Sequence, residues 1–244
     1  MANLHSNQNS KKPLLLRIFQ LTIVTVCGFG LYWTSNFLIA NNNYYHAKNI
    51  VENIRTSSTA RTVENINTAL NHVNVAIQYF PEKSGYYLLR AELYEWKANL
   101  EVSKRLDLLA FAFDDFTLAL KYRPLWPPTW ANLAAIKWKI GEIDDEFYYY
   151  LNTAIELGPQ HEIVHIFVTE FGLAMFAQHS REFGKINVVL RRHIEQGLKT
   201  SLSRERIVKA IKSHNLEQEV CRWMVDAEYR VRRAIPDCVV FNKG

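Results

Sequence analysis

The sequence predicts an all-α protein: a single N-terminal transmembrane helix followed by a solenoid of helical hairpins. Three observations carry this. One uncharged run near the N-terminus is long enough to cross a bilayer, one residue spacing recurs three times ahead of a proline, and no segment shows sustained period-two alternation.

The uncharged run, IFQLTIVTVCGFGLYWTSNFLIA, extends over 18–40. As a helix its 23 residues advance about 35 Å, enough to span the hydrocarbon core. Lys11, Lys12 and Arg17 precede it, while Tyr32, Trp33 and Phe37 cluster at its far end, where an interfacial aromatic belt belongs. This asymmetry predicts a cytoplasmic N-terminus and a body on the opposite side, although Lys48 and Arg55 follow the span. A cleaved signal peptide is the main rival, but its apolar region is shorter, and Leu38 and Ala40 make a poor cleavage site. A buried soluble helix fits less well, because the run has no polar stripe.

The spacing that recurs is four, three and five residues. It joins Ala69, Val73, Ala76 and Pro81, then Ala112, Phe116, Ala119 and Pro124, then Phe147, Leu151, Ala154 and Pro159. A small or apolar residue lets two helices approach, a larger one four positions on fills the groove, and the proline ends the helix. This is the second-helix pattern of the tetratricopeptide repeat, which the chain resembles. Tyr87, Ala91 and Tyr94, and then Trp130, Leu133, Ala134 and Gly141, stand at that family's first-helix spacing. The proline separations are 43 and 35 against a family period of about 34, so a nine-residue surplus falls around Lys97–Asp107.

Helical periodicity continues past Pro159, over 163–174, 186–198, 203–213 and 216–234, with Ser203 as a candidate cap and a break near His179 and Ser180. The expected organisation is a disordered tail over 1–13, an anchor over 14–41, tetratricopeptide-like repeats over 42–160, a helical extension over 161–235 and a tail over 236–244, expected to be extended.

Charge is unevenly placed: +4 before residue 61, −5 over 61–180 and +6 from Arg181 onward. A basic final third can meet nucleic acid, anionic lipid or an acidic partner, but no interleaved basic and aromatic motif argues for nucleic acid. Of the three cysteines, Cys27 lies in the apolar run and only Cys221 and Cys238 are placed to pair. A helix continuing from Cys221 to Ala234 would carry the chain about 20 Å away, with about 14 Å of reach for the return. A bridge therefore requires that helix to end early; two free buried thiols are the simpler expectation.

His161, Glu162 and His165 spell HExxH, the pattern in which two histidines one turn apart hold zinc and the glutamate activates water. Gly158 and Pro159 stand just upstream, so His161 falls in the first turn of a helix, and Val168 occupies the position of the glycine in the extended motif. Glu182 is the remaining candidate third ligand, across the break near His179. The plainer expectation is the first helix of a further repeat. Asp144, Asp145 and Glu146 form a carboxylate run at a helix start, where the macrodipole favours negative charge; an ion site there is the less economical reading. Gly-rich phosphate loops, nucleophile elbows and calcium-loop spacings are missing from the sequence, and no cofactor is expected.

In tetratricopeptide arrays the first helices line a groove for peptides or partner helices. The family register places Glu92, Glu95 and Trp96 from one repeat beside Ala131, Ala135, Trp138 and Lys139 from the next. Tryptophans flanked by charges suit an interface hot spot, with packing between helices as the alternative.

The run RPLWPPTWANLAAIKWKIGEIDDEFYYYLNTAIELGP, from Arg123 to Pro159, is similar to bacterial exopolysaccharide-biosynthesis accessory proteins, the P protein of the vibrio polysaccharide operon type. The likeness extends more loosely to LRRHIEQGL and to the segment ending EVC at Cys221. It implies a single-pass inner-membrane protein with a periplasmic body, working beside membrane-bound polysaccharide-assembly machinery in exopolysaccharide, capsule or O-antigen production. It supplies no catalytic residues, nucleic-acid partner or small-molecule substrate. A membrane-tethered zinc metallopeptidase using the HEIVH residues, and a general envelope or division adaptor, are the alternatives.

Overall fold

The computed structural model describes residues 11–238, apart from the side chains of 11–15 and 58. The expected tails lie outside the described residues, except that 11–13 open the first helix and 236–238 form a turn. Helix takes up 83% of the described residues and no strand occurs among them, which establishes the all-α class. Eleven α-helices are described, and the chain divides into two compact units, 1–103 and 104–244.

In the first unit, α1 (Lys11–Thr56) passes without interruption from the apolar run into the body. Its helix therefore continues beyond 41, where the sequence suggested that the anchor ends. Asn41, Asn42 and Asn43 have the composition of a loop but are drawn into the helix by specific partners. Asn43 donates to the Ile39 carbonyl, and its side-chain oxygen lies 2.9 Å from His72 Nδ1. Asn41 accepts from Lys83 Nζ and from the Tyr86 hydroxyl.

A short 3₁₀ turn leads to α2 (Val63–Tyr79), whose N-cap Thr62 accepts from the Asn65 amide. α2 runs back along α1: His72 meets Asn43 and His46, and Phe80 meets Phe37 and Trp33. α3 (Ser84–Leu100) then runs parallel to α1, so that Tyr86 meets Asn41 and Tyr44, and Glu92 meets Arg55. Ala40, Ala47, Val51 and Ile54 of α1 close the core with Ile66, Ala69, Val73 and Ala76 of α2 and Leu93 of α3.

The second unit begins with α4 (Arg105–Tyr122), α5 (Pro127–Ile140) and α6 (Asp145–Leu157). Prolines at the first two positions of α5 suit a helix start, and Gly141 at φ 89° ends it in the left-handed conformation that glycine adopts without strain. α7 (Glu162–Ala177), α8 (Phe183–Lys199) and α9 (Ser201–Ser213) pack on one another, and α5 and α6 both touch α7. The break expected near His179 is present, with His179 at φ 52°.

All nine helical positions of the recurring pattern are buried, and each helix that carries one ends two residues before its proline. Phe116 and Phe147 are almost fully enclosed, each burial contributing about 1.5–3 kcal/mol. The surplus around Lys97–Asp107 is taken up by the end of α3, a 3₁₀ turn over Val102–Lys104 and the start of α4, the stretch where the two units divide.

Two local expectations are corrected. Ser203 is not a cap: α9 starts at Ser201 after Thr200, and Ser203 is fully buried, donating to the Gly197 carbonyl at 2.6 Å. The single helix expected over 216–234 is two, α10 (Glu217–Trp223) and α11 (Tyr229–Ala234). Packing overrides local propensity there. Met224 turns into the core, and Trp223 stacks on Phe183 and meets the edge of Phe176. Lys199 of α8 holds Glu228 at the start of α11, at 3.1 Å. The early end brings Cys221 and Cys238 to a Cα separation of 5.4 Å, and they form a disulfide rather than two free thiols. Cys27 is the free cysteine, exposed on α1.

Candidate functional site

The segment of α1 before the body is apolar and uncovered. Its side chains from Leu16 to Leu38 are mostly exposed, and the helix is long and apolar enough to span a membrane. Where it enters the body it is collared by aromatic rings. Phe80, at the corner between α2 and α3, sits edge-on to Trp33 and Phe37, with ring centroids 5.5 and 5.4 Å away. The Lys83 ammonium lies 5.6, 5.5 and 5.1 Å from the rings of Phe37, Tyr44 and Tyr86, and donates to Asn41 Oδ1 at 2.8 Å.

Of the groove residues predicted in the first unit, Glu92 is gripped by Arg55, whose Nη2 donates to both carboxylate oxygens at 2.8 and 2.7 Å. Burial pushes the Glu92 carboxyl up against the opposing pull of Arg55. Trp96 packs against the core of the first unit, with the Arg61 guanidinium 5.0 Å above its ring, and Glu95 beside it is half-buried.

In the second unit, Ala131 is 1% exposed and belongs to the core. Ala135 packs against that core, as does Trp138, whose ring lies edge-on to Phe171 at 5.4 Å. Ala131, Ala135 and Trp138 follow one another at four and three residues, a single stripe of α5. α7 supplies the rings that Trp138 meets, so this stripe is used for packing within the unit. Lys139 is exposed.

Its neighbour Lys137 was missed by sequence reasoning. The ammonium is 5% exposed and surrounded by carboxylates: Glu142 at 3.0 Å, Asp144 at 2.9 Å and Glu146 at 2.6 Å. Burial alone would lower its pKa, but the three hydrogen bonds outweigh that and drive it upward. The carboxylate run thus starts α6 as expected, with Asp144 as N-cap accepting from the Phe147 amide at 2.9 Å, and its charge is spent on a lysine of the same unit. The amide bond and then Lys137 hold the Asp144 carboxyl below its usual range.

The HExxH residues are employed structurally. His161 is the N-cap of α7, its Nδ1 accepting from the Ile163 amide at 3.3 Å and lying 3.4 Å from Glu162. His165, 1% exposed, turns inward to His193 of α8, 2% exposed, with the two Nδ1 atoms 2.9 Å apart. Glu182 accepts from the Tyr148 hydroxyl and lies 3.0 Å from Lys185. Among the described residues, no three His, Cys, Asp or Glu side chains are grouped to hold a metal ion. The histidine pair has one signal in sequence, the inward position of each ring on its helical face. Their separation of 28 residues hides the contact.

On the basic final third, a shallow cleft of about 460 Å³ lies between α8 and the turn after α10. Arg191, Arg192, Glu195 and Trp223 line it, with the Arg191 guanidinium 5.6 Å over the tryptophan ring. No family model matches the chain, and no match is found among curated proteins.

Proposed function

We propose that this protein is a non-catalytic, single-pass scaffold of the bacterial inner membrane, with a tetratricopeptide-like body on the periplasmic side that engages membrane-bound polysaccharide-assembly machinery. The observation that carries the reading is the unbroken helix α1: the apolar, exposed segment and the core-forming segment over 40–56 are one rod, so α2 and α3 of the first unit are held at a fixed height above the anchor.

Two features support the orientation. Lys11, Lys12 and Arg17 precede the span, and the Cys221–Cys238 disulfide belongs to an oxidising compartment. The buried repeat pattern, with a proline two residues past each helix, supports a tetratricopeptide-like solenoid, and the likeness of Arg123–Pro159 to exopolysaccharide accessory proteins supports the process. The structural employment of His161, His165 and Glu182 favours a scaffold over a zinc peptidase.

Partner contacts on this reading come from the exposed and half-buried helix positions beside the packed tryptophans and not from the tryptophans themselves. The test is in-cell photo-crosslinking from Glu95 and Lys139, each replaced by a photoreactive amino acid, with captured proteins identified by mass spectrometry. Capture of polymerase, flippase or export subunits from both positions is expected. Division proteins as the dominant products would favour the general adaptor, and only nonspecific chains would contradict the proposal.

A further inference from the structure

The anchor and the α2–α3 corner meet at one level. From Ile18, nineteen residues of helix advance about 29 Å and reach Phe37, so a hydrocarbon core of about 30 Å that starts at Ile18 ends beside that ring. Trp33 lies one turn deeper. Phe80 touches both rings, and both remain substantially open, Trp33 at 45% and Phe37 at 40% exposure. Tyr79, the last residue of α2, is 41% exposed, and Pro81 and Glu82 are exposed at the tip of the corner. Lys83 comes next, its ammonium held at the level of Asn41, about 6 Å beyond Phe37 along α1.

We infer that the corner Tyr79–Lys83 is a second membrane contact, a lipid-facing foot that enters the interface of the leaflet on the body's side next to the span. The occupant is a phospholipid surface. Phe80 sits at the level of Trp33 and Phe37, where the hydrocarbon meets the interface, Tyr79 precedes it, proline closes the corner, and lysine places its charge where headgroup phosphates lie while its stem runs along apolar rings. A rod crossing a bilayer is free to tilt and to spin about its axis, whereas a rod with a lateral foot is restrained in both. The foot thereby sets which faces of α2 and α3 look away from the membrane.

This inference rests on the anchoring reading, and the two are separable by experiment. Full-length protein is reconstituted into vesicles of phosphatidylethanolamine and phosphatidylglycerol and labelled with a thiol-reactive nitroxide. The native free Cys27 reports the span. In a Cys27→Ser background, Pro81→Cys and, independently, Glu82→Cys report the corner, and Thr59→Cys reports the opposite end of α2. Collision with oxygen is compared with collision with a water-soluble nickel chelate. The expected result is strong oxygen preference at 27, a ratio at 81 and 82 shifted toward that of 27, and nickel preference at 59. A lipid-exposed 27 with 81 and 82 matching 59 overturns the foot and leaves the anchor standing. Nickel preference at 27 overturns both.

Discussion

Acid should loosen the second unit through its histidine pair. His165 and His193 face each other Nδ1 to Nδ1 at 2.9 Å inside the contact between α7 and α8. One hydrogen bond fits there only if one nitrogen carries a proton and the other a lone pair, so the two rings cannot both be protonated in the folded state. Burial, then the neighbouring His165 and Arg192, pushes His193 down from 6.5 to about 4; burial, then His161, lowers His165 as well. A folded pKa below the unfolded one means that the unfolded chain binds more protons, so the stabilisation is complete above about pH 6.5 and is lost as pH falls toward 4. For His193 alone, two and a half units at about 1.4 kcal/mol each is about 3.5 kcal/mol in full, of which about 2 kcal/mol is lost between pH 7.5 and pH 5. The assay is urea unfolding of the detergent-solubilised protein, followed by near-ultraviolet circular dichroism at several pH values. His193→Gln keeps a donor and an acceptor but does not titrate, and should flatten the acid limb by about 2 kcal/mol relative to the native chain. Equal slopes for the two proteins would refute the reasoning. Should the variant fold poorly, proton titration of the native imidazoles by NMR decides the same question, with His193 holding neutral until near pH 4 expected and titration near 6.5 contradicting it.

Other outcomes follow from single contacts. Replacing Lys137 by Met keeps the buried stem and removes the ammonium; because its three carboxylate partners are each about half exposed and water can take over, the cost is about 1–2 kcal/mol by urea unfolding, and no change would mean that the carboxylate knot stabilises nothing. Cys221→Ser with Cys238→Ser opens a loop of sequence separation 17 and should cost about 3 kcal/mol, seen as equal destabilisation when the native chain is reduced. Gly158→Ala would place a methyl 2.5 Å from Cβ and 2.8 Å from Cγ of the Pro127 ring, which has no rotamer to escape into, so a loss of about 1–3 kcal/mol is expected and a neutral result would show that α5 and α6 can separate there.

What the sequence makes legible is the part of the fold set by periodic, local chemistry. Ala69, Val73 and Ala76, with their two sets of counterparts, announce both the buried stripe and the helix end, because proline acts on its own neighbours. The span is equally plain, since its signal is an absence of charge over 23 consecutive residues. Where a distant residue decides, local chemistry does not carry the answer. Met224–Glu228 contains neither glycine nor proline, yet the helix breaks there because Trp223 and Met224 are claimed by α7 and α8, and the disulfide depends on that break. Asn41–Asn43 has the composition of a loop, yet His72 of α2, Lys83 of the corner and Tyr86 of α3 engage Asn41 and Asn43 within the helix. Among the candidate site residues, Glu92 and Trp138 match an interface in composition, but Arg55 and Phe171, far off in sequence, engage them within their own units.

On the proposed reading, α1 carries the body across the bilayer. With Cys27→Ser removing the native thiol, a cysteine at Thr59 should react with a membrane-impermeant maleimide in cells whose outer membrane alone has been opened. Labelling at that stage, unchanged when the inner membrane is then disrupted, is the predicted result. Labelling that appears only after the inner membrane is disrupted would place the body in the cytoplasm and contradict the claim.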